Sequence, residues 1–115
     1  MKKIKITQEQ LDKLAFPFLD REFEGIEKYM AKYFDGIVFK KPDEEYGKLG
    51  YENNGTLRIF YGDIKKISSF FSLDNRDTLS LIKRWAEDRL QIEVGTPIYT
   101  QVQGMISPKN NSRID

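Results

Sequence analysis

The chain has 115 residues, a formal net charge of +1, no cysteine and no histidine. Its length fits one domain with a single core. The missing side chains exclude disulfides, thiolate metal sites, thiol nucleophiles and the imidazole that most often serves as general base or transition-metal ligand. Charge is spread in short blocks of both signs, which argues against a partner recognised mainly by charge, whether nucleic acid, membrane or acidic substrate. No apolar run approaches the ~20 residues that span a bilayer. The opening MKKIKITQEQ lacks the apolar segment of a secretory signal, so an intracellular location is expected.

Lys2–Ile6 alternates lysine with isoleucine, as a short edge strand does. Thr7 and Gln10 have the spacing of a capping box and predict a helix from Gln8. Pro17 removes a backbone donor, so the helix is expected to kink there or to restart with Pro17 in a new first turn. Leu19, Phe23, Ile26, Met30 and Tyr33 then follow a seven-residue rhythm that predicts a core-facing helix ended by Asp35-Gly36. Ile37–Lys40 is a short strand halted by Lys41-Pro42, and Asp43-Glu44-Glu45 is a solvated acidic loop.

Lys48–Glu52 and Thr56–Tyr61 form a hairpin through Asn53-Asn54-Gly55. A two-residue Asn-Gly turn would set Leu49 and Tyr51 on the face of Arg58 and Phe60. A three-residue loop with Gly55 left-handed aligns them with Leu57, Ile59 and Tyr61 instead, and this register collects the apolar residues on one face. Gly62-Asp63 is expected to cap a helix containing Ile64, Ile67, Phe70 and Phe71, and Ser72-Leu73-Asp74 is a tight turn supplying the next cap. Asp74–Leu90 carries the single tryptophan. Leu79, Leu81, Ile82, Trp85, Ala86 and Leu90 fall on one half of that helix, with Arg89 near the middle of the apolar face. Gly95-Thr96-Pro97 reads as a turn, Ile98–Val102 as a final strand, and Gly104–Ile106 closes the domain. The expected fold is α+β: a small antiparallel sheet, made of hairpin 48–61 and the C-terminal strand, packed against amphipathic helices. Residues 1–106 form the domain, and 107–115 a flexible polar tail.

Three kinds of surface are candidates for function. The tyrosines Tyr46, Tyr51, Tyr61 and Tyr99, with Arg89 and the tail, could form a protein-binding face. The helix pair Ile64–Phe71 and Asp74–Leu90 has the outline of a helix-turn-helix, with Asn75, Arg76, Ser80, Lys83 and Arg84 positioned for base and phosphate contacts. Against DNA binding, Asp74, Asp77, Glu87 and Asp88 would lie beside the phosphates, and Ser72 stands where that turn prefers glycine or a small residue. Those four carboxylates could also suggest a metal-dependent enzyme. Asp74 and Asp77 are better explained as acids at a helix N-terminus, and Glu87 and Asp88 lie three turns away. No phosphate loop or nucleophile elbow is present. No catalytic residue, metal or cofactor is therefore expected.

Phe70-Phe71-Ser72-Leu73, Leu81-Ile82-Lys83-Arg84-Trp85, Glu87-Asp88-Arg89-Leu90 and Gly95-Thr96-Pro97 together resemble short uncharacterised proteins of tailed bacteriophages. Those proteins place a strand, a short aromatic-rich helix and a tryptophan-containing helix before a similar turn. The likeness runs from Leu57 to Pro97 and brings no activity with it. It implies a viral source and, with the missing catalytic side chains, a non-enzymatic accessory protein that binds another macromolecule. Such a protein would inhibit a host defence or transcription component, or serve in assembly, in the host cytoplasm or the virion. The helix-turn-helix DNA-binding regulator is the alternative, and a metal-dependent enzyme a distant one.

Overall fold

A computed structural model describes residues 6–114. The elements are α1 (Gln8–Glu22), β1 (Glu27–Ala31), β2 (Gly36–Lys40), β3 (Leu49–Glu52), β4 (Thr56–Phe60), α2 (Tyr61–Phe71), α3 (Asn75–Arg89), β5 (Thr96–Thr100), a 3-10 turn (Gln103–Met105) and β6 (Pro108–Ile114). The fold is α+β, with a sheet in the order β5-β4-β3-β2-β1-β6. Strands β1 to β4 form an antiparallel meander, β6 runs antiparallel to β1, and β5 lies parallel to β4. Parallel neighbours need a crossover connection, and α2 and α3 supply it. No helix among the described residues is long and apolar enough to cross a membrane.

Alternate residues of each strand face opposite sides of the sheet. On one side Phe39, Leu49, Leu57 and Ile59 meet Ala15 and Leu19 of α1, Phe23 just beyond it, Ile64 and Ile67 of α2, and Leu81, Ile82, Trp85 and Ala86 of α3. On the other side Val38 and Ala31 pack with Ile106, Phe34 and Phe60 in a smaller core, which the 3-10 turn covers. Lys40 also points to that side. Its ammonium lies 4.6 Å from the Tyr29 ring centroid and donates to the carbonyls of Lys41, Pro42 and Glu44, so a buried cation ties down the acidic loop.

Local chemistry explains the elements that match expectation. Thr7 and Gln10 make both bonds of the capping box, at 2.9 and 3.1 Å. Asp74 caps α3 by accepting from the Asp77 amide at 2.7 Å. The hairpin takes the three-residue loop, with Gly55 at φ +93° and the pairs Leu49↔Ile59 and Tyr51↔Leu57, so the apolar residues do share one face.

Four expectations are corrected. Of the two outcomes expected at Pro17, the restart does not occur: α1 is one helix through Pro17, whose ring faces solvent, so the carbonyl left without its amide partner belongs to exposed Lys13. The helix expected across Leu19–Tyr33 stops at Glu22, and Gly25 (φ +75°) turns the chain into β1. Ile26 and Met30 suit a strand as well as a helix because they are an even number of residues apart, so spacing alone could not separate the two. Helix α2 begins at Tyr61, which places Asp63 inside its first turn and in the interior, where a cap had been expected. Pro97 lies within β5, tolerated because an edge strand has one row of backbone groups unpaired.

The tail forms an element too. Pro108–Ile114 pairs with β1 as the opposite edge strand, in the registers Lys28↔Ile114 and Ala31↔Pro108 with an irregularity between Tyr29 and Ala31. The strand expected at Lys2–Ile6 lies, apart from Ile6, outside the described residues.

Candidate functional site

Helix α3 is gripped along one flank by α1. The Arg84 guanidinium meets both oxygens of Asp12, with Nε at 3.1 and 3.0 Å and Nη2 at 2.9 Å. Further along the same flank, the Trp85 indole donates to Asp20 Oδ1 at 2.8 Å, and Arg89 Nε donates to the same oxygen at 2.9 Å. Arg89 also pairs with its neighbour Asp88 and lies over the Phe16 ring, 5.2 Å from its centroid. The Arg89 guanidinium holds the Asp20 carboxyl below its ordinary pKa. Partial burial opposes that shift and the Trp85 bond assists it.

This corner borders an open groove of about 630 Å³ lined by Gln8, Glu9, Asp12, Lys13, Phe16, Pro17, Asp88 and Arg89. Arg89 therefore does face a cleft, as a binding residue should. It arrives there already shared between two carboxylates, and its charge is taken up in joining α3 to α1.

The tyrosines do not converge. Tyr61 and Tyr99 come together, their ring centroids 5.0 Å apart. Tyr51 packs on the main core and donates its hydroxyl to the Glu93 carbonyl. Tyr46 sits beside Gly104, at the 3-10 turn that covers the sheet's opposite face. The structure thus makes one aromatic pair out of four candidates and separates the rest from it.

The helix-turn-helix outline survives in backbone form only. Ser72 takes a left-handed conformation (φ 54°) and Asp74 caps α3, so the turn is tight. Of the five DNA-contact candidates, Asn75 and Arg76 are exposed, Ser80 and Lys83 half-buried, and Arg84 is committed to Asp12. Thr78 is buried, and Leu81, Ile82, Trp85 and Ala86 share one core with α1, α2 and the sheet. A recognition helix needs a broad free face, and α3 keeps a narrow one.

The acidic residues have structural employment as well. Glu87 accepts from the Val94 amide at 3.2 Å, and Asp88 holds Arg89. Among the described residues no three carboxylates converge on a point that could hold a metal ion.

Two features lie outside the sequence expectations. The first is an aromatic surface between α1 and α2. Phe18 stacks on Phe70 with centroids 4.5 Å apart and meets Phe71 edge-on at 5.3 Å, while Phe70 and Phe71 are 4.9 Å apart. Phe70 is 65% exposed, and Leu14, one turn before Phe18 on the same side of α1, is 67% exposed. A signal for this surface does exist in the spacing. Leu11, Ala15 and Leu19 define the core stripe of α1, and Leu14 and Phe18 fall beside it.

The second is Asp63, 7% exposed, with Oδ2 lacking any hydrogen-bond partner. Burial raises its pKa, Lys48 at 4.0 Å opposes the rise, and the nearby Glu22 adds to it. Nothing in the sequence distinguished Asp63 from a solvent-facing cap. Comparison of the chain with protein-family models, with curated proteins and with solved structures gave no match.

Proposed function

We propose that this protein is a non-enzymatic accessory protein that works by binding another protein. The observation that carries this reading is the α1–α2 surface, where Leu14 and Phe70 are each about two-thirds exposed beside Phe18. Single exposed apolar residues are ordinary, but exposed apolar residues gathered on one side of a helix pair suit an interaction surface. The binding face moves accordingly from the hairpin tyrosines and tail to these two helices. The Tyr61–Tyr99 pair stays a secondary contact, and residues 108–114 serve as an edge strand. The phage resemblance supports a setting in an infected cell. There the partner would be a host defence or transcription component, or a phage assembly protein, met in the host cytoplasm or in the virion.

The test uses a photo-crosslinking residue placed at Leu14, with a second at Arg76 as control, in cells that contain the partner. A single stoichiometric adduct from the Leu14 position, absent from the Arg76 position, is expected. If duplex DNA is instead shifted with steep salt dependence, and Arg76→Ala with Lys83→Ala abolishes the shift, DNA binding takes its place.

A further inference from the structure

We propose that β5 is a pairing edge for a second copy of this chain: two β5 strands run antiparallel about a twofold axis at Tyr99 and join the two sheets into one. This goes beyond the protein-binding reading above and does not depend on it.

The outer edge of β5 is open. Thr96 and Tyr99 are exposed, and Pro97, Ile98 and Thr100 are half-buried. On its inner side β5 pairs in parallel with β4, and the Thr96 amide donates to the Gly55 carbonyl. Alternate residues of a strand direct their backbone groups to opposite neighbours, so Thr96, Ile98 and Thr100 bond β4 while Pro97 and Tyr99 present theirs outward. Pro97 fits that assignment, because a proline in a sheet belongs where no donor is required. The outer row therefore offers the Pro97 carbonyl and both backbone groups of Tyr99 to another strand.

The two edges of the sheet differ in charge. Every residue from Val94 to Pro108 is uncharged, in a chain of which 32% is Asp, Glu, Lys or Arg. Charged side chains are a common means of keeping sheet edges apart, and β5 has none. Strand β6, at the opposite edge, carries Lys109 and Arg113. Antiparallel self-pairing of β6 about Asn111 would set Lys109 against Arg113 of the other copy. Self-pairing of β5 brings no like charges of the two strands together.

Pro97 removes one donor from the outer row and thereby fixes the register. An axis at Ile98 would place Pro97 opposite Tyr99 of the other copy and leave both Tyr99 carbonyls without a donor. With the axis at Tyr99, the two Tyr99 residues exchange both N–H···O bonds, and Pro97 falls opposite Gln101, past the end of the strand. Tyr99 is paired with Ile59 in the sheet, so its side chain lies on the main-core side, where its ring centroid is 5.0 Å from that of Tyr61. The twofold brings both Tyr99 rings to the same side of the joined sheet, each backed by its own Tyr61. Cross-strand aromatic pairs stabilise antiparallel strands, and this one is what a second copy supplies and an arbitrary strand does not.

Sedimentation velocity of the full chain over rising concentration is the test. A monomer–dimer equilibrium that stops at two is expected, weak because so short a strand buries less than a standard interface. Tyr99→Lys sets two ammonium groups against each other across the axis and weakens the dimer about tenfold or more. Mixing Tyr99→Lys with Tyr99→Glu restores it as a heterodimer, because residue 99 faces itself. Hydrogen exchange reads the backbone: protection of the Tyr99 amide rises with concentration, while the Ile98 amide is protected throughout. Trp85 emission confirms that each variant is folded, and Phe70→Ser leaves the dimer unchanged. A monomer at every concentration, a dimer indifferent to Tyr99→Lys, failure of the mixed pair, or Tyr99 exchange that ignores concentration overturns the proposal. So does loss of the dimer in Phe70→Ser, or growth past two copies, the sign of β5 pairing with β6 in an open chain. If the dimer fails while the Leu14 crosslink still captures one protein, this proposal falls and the protein-binding reading stands.

Discussion

Replacing Asp20 should separate the two jobs its carboxylate performs at the α1–α3 junction. Asp20 Oδ1 accepts from the Trp85 indole at 2.8 Å and from Arg89 at 2.9 Å. Trp85 is 3% exposed, so removing the acceptor leaves a donor that has little access to solvent. A buried donor without a partner costs about 1–3 kcal/mol. The Asp20 side chain is itself 42% exposed, so water can follow into the space it vacates. That argues for the lower half of the range, about 1–2 kcal/mol for Asp20→Ala. With a urea dependence of about 2 kcal/mol per molar, the middle of the range for a small protein, the midpoint falls by roughly 0.5–1 M. Asp20→Asn keeps an oxygen for the indole and loses only the charge facing Arg89. Its midpoint should move far less, because an exposed ion pair is screened by water.

The assay is built into the chain, since Trp85 is its one tryptophan and packs against Phe23 with centroids 4.8 Å apart. Urea unfolding followed by its emission reads the junction directly. The pKa of Asp20 is lowered by Arg89 in the folded state, so the ionised carboxylate stabilises the fold above the unfolded value of about 3.9. That contribution disappears as pH falls through the lowered folded value. The gap between wild type and Asp20→Asn should accordingly close on acidification. Equal losses in Asp20→Ala and Asp20→Asn would refute the claim that the indole bond stabilises the junction more than the Arg89 pair does.

Three further outcomes follow from the same structure. Asp63 has a raised folded-state pKa, so its titration favours the fold at low pH and that benefit is lost as pH rises from the unfolded value through the folded one. Asp63→Asn should therefore gain melting temperature relative to wild type between pH 4 and pH 7, and a difference that shrinks over that window contradicts the burial of this carboxyl. A double-mutant cycle on Arg84→Ala and Asp12→Ala should give a coupling of about 1 kcal/mol, near the upper end for surface pairs because the contact is bidentate. Near-zero coupling in urea titrations would mean the pair does not hold α1 to α3. Deleting residues 108–114 should lower the melting temperature and expose the β1 edge to self-association, visible by light scattering. An unchanged melt and a clear solution would show that this strand adds nothing to the sheet.

What could be read from the sequence depended on whether a signal was local. The Thr7–Gln10 box, the Asp74 cap and the Gly55 loop are decided within a few residues, and each has its expected bonds or backbone angle. The helix expected over Leu19–Tyr33 fails because a heptad-like spacing outweighs Gly25, a single residue able to end a helix and begin a strand. Strand β6 is hidden for a different reason. Its sequence PKNNSRI has almost no apolar alternation, and an edge strand with backbone pairing on one side can form without it. Asp63 looks like a cap until the helix start moves three residues upstream, carrying its carboxyl inward.

The tryptophan helix looks functional in sequence because it concentrates arginines, carboxylates and an outline of a DNA-binding pair. In the folded chain those charges turn out to be how α3 is fastened: Arg84 to Asp12, Arg89 to Asp20 and Asp88, and Glu87 to the Val94 amide. A charge already matched within the fold has less to offer a partner, since the partner must break the internal pair before forming its own. The residues with capacity to spare are instead the bland ones on the far side of α1, Leu14, Phe18 and Arg21, with Phe70 stacked on Phe18. Nothing about leucine or phenylalanine announces a site in a sequence. Their exposure does so only because Leu11, Ala15 and Leu19 already fill the core stripe of the same helix.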